Sequence, residues 1–336
     1  MTQNFYTRKL ALNRAILAPM AGYTDAPFRK LCREFGSAWA VTEMVSAKAL
    51  VVGDLQGIEI GEPYRNEPDV VIQVFGGEPD ITAAGGRILF ERYRPQALDL
   101  NMGCPVKKVT GKSCGSKLML EPERAAEIVN ALTKAVPVPV SAKLRLGYDH
   151  VNVLEVAKAL EEAGAALIAV HGRTAAQKYG GSANWETIAD VANAVDIPVV
   201  GSGDVQTQAQ FDAYMGRGLG VMVARGAVGR PWIFAELQGK DAPSLRERAE
   251  IFLRHAVMNA AWYGEHKGML PMRSQALQYF KDMANFAAMR KDIVKLSMLE
   301  DTQKLLKKWL ELDLPLPEAE VARDLTSSKT TSKRAA

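Results

Sequence analysis

Gln73, Asn101, Lys143, Arg145 and His171 share one setting: each lies at the end of a short apolar run, ahead of a glycine-, proline- or loop-forming stretch. In chain order the runs end as PMAG, TEM, QVFG, NMGCP, KLR, HGRT, GSGD and ARG. Gln73 alone could merely satisfy a backbone group, and a lone histidine is more often a hydrogen-bonded core residue than a ligand. Five polar side chains at equivalent positions instead point to one binding face. The last two ends are mechanically the most specific. GSGDV (Gly201–Val205) and ARGAVGRP (Ala224–Pro231) both lead from a run into helical spacing. Their glycines let backbone N–H groups approach an anion, and Arg225 adds charge-assisted hydrogen bonds. Glycines also serve plain tight turns, but the two loops together favour a phosphorylated ligand.

Cys104 closes the fourth run, is followed by Pro105, and leads into VKKVTGKSCGSKLML with Lys107, Lys108, Lys112 and Lys117. Gly111, Ser113 and Gly115 give that segment hinges, so it is expected to be a mobile lid over an anionic substrate. A thiol is mostly protonated near neutrality, which suits Cys104 to general-acid work. No Cys–His pairing can be read, so a thiolate nucleophile is less attractive, and Cys114 stays a rival. Lys143 admits two chemistries. As a cation it could neutralise charge developing on a bound cofactor. Desolvated beside Arg145, it could form a Schiff base.

The elements that must position these residues follow from the runs themselves. They are apolar on both faces, as strands of a helix-covered parallel sheet require, and segments such as PERAAEIVNALTKA and VLEVAKALEEAGA lie between them. Eight strands alternating with helices over roughly 240 residues predict a (β/α)8 TIM barrel at 1–240, whose active site lies at the C-terminal strand ends. An open doubly wound sheet is the competing arrangement, but no GxGxxG turn follows the first strand. Residues 241–316 turn to amphipathic helices and predict a C-terminal helical domain. Residues 317–336, polar and basic, are expected to be a disordered tail.

Composition sets the remaining bounds. The chain has 336 residues, 48% hydrophobic and 24% charged, so it can bury a large core. Three cysteines without a CxxC pair argue against disulfides and a cysteine-rich metal site. No apolar run reaches membrane-spanning length, and the expectation is a cytoplasmic protein with no membrane or metal partner. The formal net charge is only +4, yet nine basic against four acidic residues between Lys267 and Lys308 give that stretch +5. Such a patch suits phosphate contacts, or else a solvated helix face.

The blocks APMAGYTDAPFR, TEM, QVFG, DLNMGCPVKKV, GKSCGSKLM, KLRLG, HGRTAAQKYGGSANW and GRPWIF resemble the tRNA-dihydrouridine synthase family, most of all its bacterial B-type branch. The resemblance spans the whole barrel and implies an FMN enzyme that reduces uridine of the tRNA D-loop, with NADPH as electron donor. It places the flavin against Pro19, Met20, Ala21 and Gly22, and on Gln73, Lys143 and His171. The flavin phosphate falls to Ser202, Gly203, Asp204, Ala224 and Arg225. Cys104 matches the family's proton donor to uracil C5, following hydride transfer to C6. Asn101 and Arg145 match positions near flavin and uracil, and Arg273 and Lys281 are candidate tRNA contacts in the helical domain. The lysine-rich segment after Cys104 adds Lys107 as a further substrate contact. The resemblance also implies a monomer. Ser202 stands where the family usually has Asn, Ala224 where it has Gly, and RSQALQYFK where it has a basic and histidine run. The competing functions are an FMN barrel oxidoreductase for a free pyrimidine or enone, and a flavin-free lyase or RNA-binding protein.

Overall fold

The computed structural model describes residues 4–54 and 59–321. Its strands are β1 (Ala15–Leu17), β2 (Ala40–Val41), β3 (Val45–Ser46), β4 (Val70–Phe75), β5 (Ala97–Asn101), β6 (Val140–Arg145), β7 (Leu167–His171), β8 (Val199–Ser202) and β9 (Gly220–Val223). All pairings are parallel, and β1 joins β9 while β2 joins β4, so the sheet closes on itself. The predicted eighth-fold barrel is present. The second strand is cut in two because its register slips. Val41 pairs with Val71 but Val45 with Val74, leaving one extra residue in the Thr42–Met44 stretch, a β-bulge that reorients Glu43.

Strand residues alternate between two cores. Inward-facing Ile16, Val41, Val71, Ala97, Leu167, Ala169, Val200 and Met222 fill the barrel, whose N-terminal end is plugged by Phe5, Tyr6 and Trp39. These three rings pack edge-on or tilted at 5.1–5.9 Å. Outward-facing neighbours such as Leu17, Ile72, Leu98, Leu144, Ile168 and Val221 meet the surrounding helices. Local chemistry starts those helices: Asp25 accepts the Phe28 N–H at 3.0 Å, and Asn184 the Thr187 N–H at 3.0 Å.

Among the described residues four helices follow the barrel at 1–240, Leu245–Tyr263, Glu265–Tyr279, Phe286–Ile293 and Leu299–Leu310. Their core of Phe252, Trp262, Met269, Met272, Phe280 and Leu306 continues into Ala26, Leu31 and Trp232 of the barrel. The glycine of GRPW makes this junction possible. Gly229 has φ +65°, its N–H donates to buried Gln275 Oε1 at 2.9 Å, and a Cβ there would lie 2.4 Å from Gln278. Of the tail read from 317 onward, Glu320 pairs with Arg254 and Val321 is buried in the helical core. Residues 322–336 lie outside the described residues. No helix among the described residues is long and apolar enough to cross a membrane.

Candidate active site

A cavity of about 1350 Å³ opens at the C-terminal ends of the strands. It exceeds the roughly 300–1,000 Å³ of an ordinary small-molecule pocket, leaving room for a cofactor and a second ligand together. Pro19, Met20, Ala21, Gln73, Asn101, Cys104, Lys107, Lys143, Arg145, His171, Ser202, Gly203, Asp204, Ala224 and Arg225 all line it. Part of the wall comes from the helical domain, through Ser274, Leu277 and Gln278.

Three predicted residues lie elsewhere. The Gly22 N–H turns away to Glu43, and Arg273 donates through Nε to the Leu296 carbonyl at 2.7 Å inside the helical domain. Lys281 is exposed beyond the end of the helix that forms the wall.

Cys104 is the half-buried one of the three thiols; Cys32 and Cys114 are buried. Burial pushes the Cys114 thiol up, and its Sγ is held 3.1 Å from the Lys112 carbonyl, outside the cavity lining. The rival thiol is therefore sequestered. The segment read as a mobile lid is folded into a short helix, Lys107–Thr110, and a 3-10 helix, Gly115–Leu120. It is pinned to the strand ends by the Ser116 N–H, which donates to the Cys104 carbonyl at 3.0 Å.

The cations are arranged around a buried polar layer. Burial and the neighbouring Arg145 push Lys143 down to about 8, while Asp99 acts in the opposite direction. Below that value it carries its charge, so near neutral pH a neutralising role outweighs a Schiff-base role. Among the described residues its ammonium has no hydrogen-bond or ion-pair partner, an open invitation to a ligand. Arg145 is buried and already bridges two loops. Its Nε donates to the Gly103 carbonyl at 2.7 Å, and its Nη1 to the Thr174 and Lys178 carbonyls, both at 3.0 Å. Burial and the cations Lys143, Arg145, Arg173 and Arg225 push His171 down to about 2, so its imidazole is neutral.

Backbone conformation builds the anion cradle. Gly203 has φ +133° and Asp204 φ +59°, which turns successive N–H groups out of the β8 direction. A Cβ at Gly203 would lie 2.5 Å from the Ala183 Cβ and 3.3 Å from the His171 ring. The Asp204 carboxylate is itself occupied: Oδ2 accepts from Arg173 at 2.6 Å and from the Ala183 N–H at 2.9 Å, and Oδ1 accepts from Arg225 at 3.1 Å. What Asp204 offers an anion is thus its backbone, with its charge cancelled by two guanidinia. The glycine cradle, the unpartnered ammonium and the net positive lining fit a flavin mononucleotide.

Arg173 and Tyr179 escape a sequence reading that stops at strand ends. Arg173 is buried and also donates to the Gly180 carbonyl at 3.0 Å and the Gly181 carbonyl at 2.5 Å. Tyr179 lies exposed at the cavity between the Arg145 and Arg225 guanidinia, 5.9 and 4.8 Å from its ring centre. The HGRT arginine was a usable signal; Tyr179, in a loop eight residues past the strand, gave none.

Comparison with known proteins agrees with this geometry. A profile of the dihydrouridine synthase family matches residues 16–312. The chain is 39% identical over 306 residues to tRNA-dihydrouridine synthase B of Pseudomonas putida, covering 87% of this chain and 88% of that protein. The corresponding protein of Pseudomonas aeruginosa is 39% identical over 309 residues, 86% of this chain and 90% of its own length. A probable tRNA-dihydrouridine synthase of Rickettsia conorii is 37% identical over 287 residues, 82% of this chain and 86% of that one.

Proposed function

The chain belongs to the dihydrouridine synthase family, and from that premise we propose that it is a tRNA-dihydrouridine synthase that reduces the C5=C6 bond of D-loop uridines. One observation carries the reading: the half-buried Cys104 thiol shares a single cavity with the unpartnered Lys143 ammonium and the glycine-built anion cradle. When bound, FMN supplies the hydride for uracil C6 and is reduced again by NADPH. The protein's part is to bind, orient and protonate. Ser202, Gly203 and the backbone of Asp204 and Ala224 hold the phosphate, with Arg225 beside them. Lys143 provides a cation against negative charge on the flavin, and Gln73 and neutral His171 provide hydrogen bonds without adding charge. Cys104 Sγ–H gives its proton to uracil C5, leaving a thiolate beside the Arg145 guanidinium.

A uracil inside folded tRNA is out of reach of such a cavity, so the base must be extruded into it. The helical domain, which contributes Ser274, Leu277 and Gln278 to the wall, suits the role of a tRNA platform beside the mouth. The test is to assay purified protein with NADPH on unmodified tRNA and on free uridine, mapping dihydrouridine by sequencing. Wild type should modify folded tRNA alone, and Cys104→Ala should retain FMN but form no dihydrouridine. Turnover of free uridine, full turnover by Cys104→Ala, or protein that takes up no FMN would each overturn the reading.

A further inference from the structure

Directly beneath the cavity, outside its lining, lies a carboxylate that the proposed chemistry does not use. Asp99 is 3% exposed, on β5 and inside the barrel. It sits in register with Gln73 of β4 and Ser141 of β6, so the three form one polar row across neighbouring strands. Gln73 Nε2 donates to Asp99 Oδ2 at 2.6 Å, and Ser141 Oγ donates to Asp99 Oδ1 at 2.6 Å. Ser141 in turn accepts from Tyr6 OH at 2.8 Å. A buried carboxylate costs several kcal/mol unless well bonded, and hydrocarbon of like volume often serves stability as well or better. Packing alone therefore gives no reason for Asp99.

Its value lies in polarity. Burial pushes the Asp99 carboxyl up, while the donors Gln73 and Ser141 and the Lys143 charge favour its ionised form. That form only accepts, so Gln73 must turn its NH2 toward Asp99 and its carbonyl the other way. That carbonyl then requires a donor, which is Asn101 Nδ2 at 2.8 Å. Asn101 is left with its carbonyl facing the backbone N–H groups of Cys104 at 3.0 Å and Gly103 at 3.3 Å. The acceptor-only carboxylate at one end and the donor-only N–H groups of Cys104 and Gly103 at the other thus make the whole relay single-valued. An amide in the carboxylate's place would permit the opposite orientation, which sets Asn101 NH2 against the Cys104 N–H. The same carboxylate is the nearby negative charge that favours the Lys143 cation.

We propose that Asp99 is a positioning residue of the reductive site: through Gln73 and Asn101 it fixes one orientation of both amides and of the turn carrying Cys104, and it supplies the counter-charge for Lys143. The proposal rests on the flavoenzyme reading above. The charged and titratable groups that act on Lys143 or that it acts on are Asp99 from β5, Arg145 on its own strand and His171 from β7. Cys104, Arg173 and Tyr179 lie around Arg145, and Arg173 and Arg225 around His171.

The experiment compares the FMN-loaded enzyme with Asp99→Asn and with Val71→Ala, a core variant that loses packing but no charge. Dihydrouridine formation is followed from pH 6 to pH 10, and FMN affinity by flavin fluorescence over the same range. For Asp99→Asn, kcat should fall roughly 10- to 100-fold with KM for tRNA changing little. The alkaline limb of both profiles should move to lower pH by about one unit, the effect of losing one nearby opposite charge. Val71→Ala should lower the melting temperature and leave both limbs in place. If Asp99→Asn does not fold, Ser141→Ala removes one of the two donors that hold the carboxylate in place and should lower kcat in the same direction by less. Limbs unmoved in the folded charge variant, or matched by Val71→Ala, overturn the proposal. A wild-type protein that binds no FMN and makes no dihydrouridine instead removes the functional reading beneath it.

Discussion

The backbone N–H of Cys104 donates to Asn101 Oδ1 at 3.0 Å, three residues back along the chain. The amide at the end of β5 therefore shapes the turn that presents the thiol, as well as facing the cavity. Asn101 also donates to Gln73 Oε1 at 2.8 Å, so both of its ends are engaged. Asn101→Ala should keep FMN while turnover falls roughly 10- to 100-fold, because the thiol is no longer held in place. Asn101→Asp keeps the acceptor for Cys104 but sets an acceptor-only, negatively charged group against the Gln73 carbonyl, a repulsion that alanine does not introduce, so it should weaken FMN binding as well. Single-turnover rates beside FMN titrations separate the two outcomes. Equal effects of both substitutions on FMN binding would contradict this division of labour.

Arg173 ties the end of β7 to the anion cradle, through Asp204 at 2.6 Å and two carbonyls of the following loop. Removing it leaves the Asp204 carboxylate with one guanidinium in place of two, next to where a phosphate must bind. Arg173→Ala should therefore weaken FMN binding by about 10- to 100-fold, each lost charge-assisted bond being worth about 1.5–3 kcal/mol. Arg173→Lys should recover only part, since one ammonium cannot span all three partners. Equilibrium dialysis of FMN against the folded variants measures it. An unchanged affinity for Arg173→Ala would remove the arginine from the cradle.

Much of this site was legible because a barrel converts strand order into spatial order. Cys104, Lys143 and His171 are far apart in sequence, yet each lies at or within three residues of the C-terminal end of a strand, and those ends meet at one face. What sequence could not supply was polarity and docking. Asp99 sits two residues before Asn101 in an otherwise apolar run, and only the register with Gln73 and Ser141 reveals the row. Arg273 and Lys281 were named as tRNA contacts where the family has a basic and histidine run, and neither charge nor position in the chain says which way a helix turns when it packs. One bonds within its own domain and the other stands outside the cavity. The bulge at Thr42–Met44 likewise left no local mark, because its cause is the register against β4.

Acid sensitivity should reside in the helical domain. Burial pushes His255 down to about 3 from an ordinary 6.5, where it stacks on Phe28 at 5.5 Å. Its folded value is depressed, so the unfolded chain binds the extra proton first. The neutral histidine's contribution is thus fully present above about pH 6.5 and is lost as pH falls toward 3. Burial acts oppositely on Glu43, raised to about 7, and Asp25, raised to about 6. Their contribution is complete below the usual carboxylate range and fades as pH rises through those values. Melting temperatures from pH 7 to pH 4 should fall less steeply in His255→Phe than in wild type. Parallel curves would show that His255 does not carry the acid response.

The basic stretch becomes more selective once its pairs are known. Lys304, Lys307 and Lys308 are bonded to Glu300, Asp313 and Asp292. Among the described residues, Lys267, Lys281, Arg290, Lys291 and Lys295 are exposed without an ion pair. Free cations release counterions from a polyanion, whereas paired ones must first give up a carboxylate. Lys281→Glu and Arg290→Glu should therefore weaken tRNA binding and flatten the plot of log affinity against log salt by about one counterion each. Lys304→Ala, which merely frees Glu300, should change the slope little. FMN content and melting temperature should stay at wild-type values, since neither Lys281 nor Arg290 lines the cavity. Filter binding of tRNA between low and physiological salt distinguishes the sets; a Lys304→Ala effect as large as that of Lys281→Glu would place the RNA on a different face.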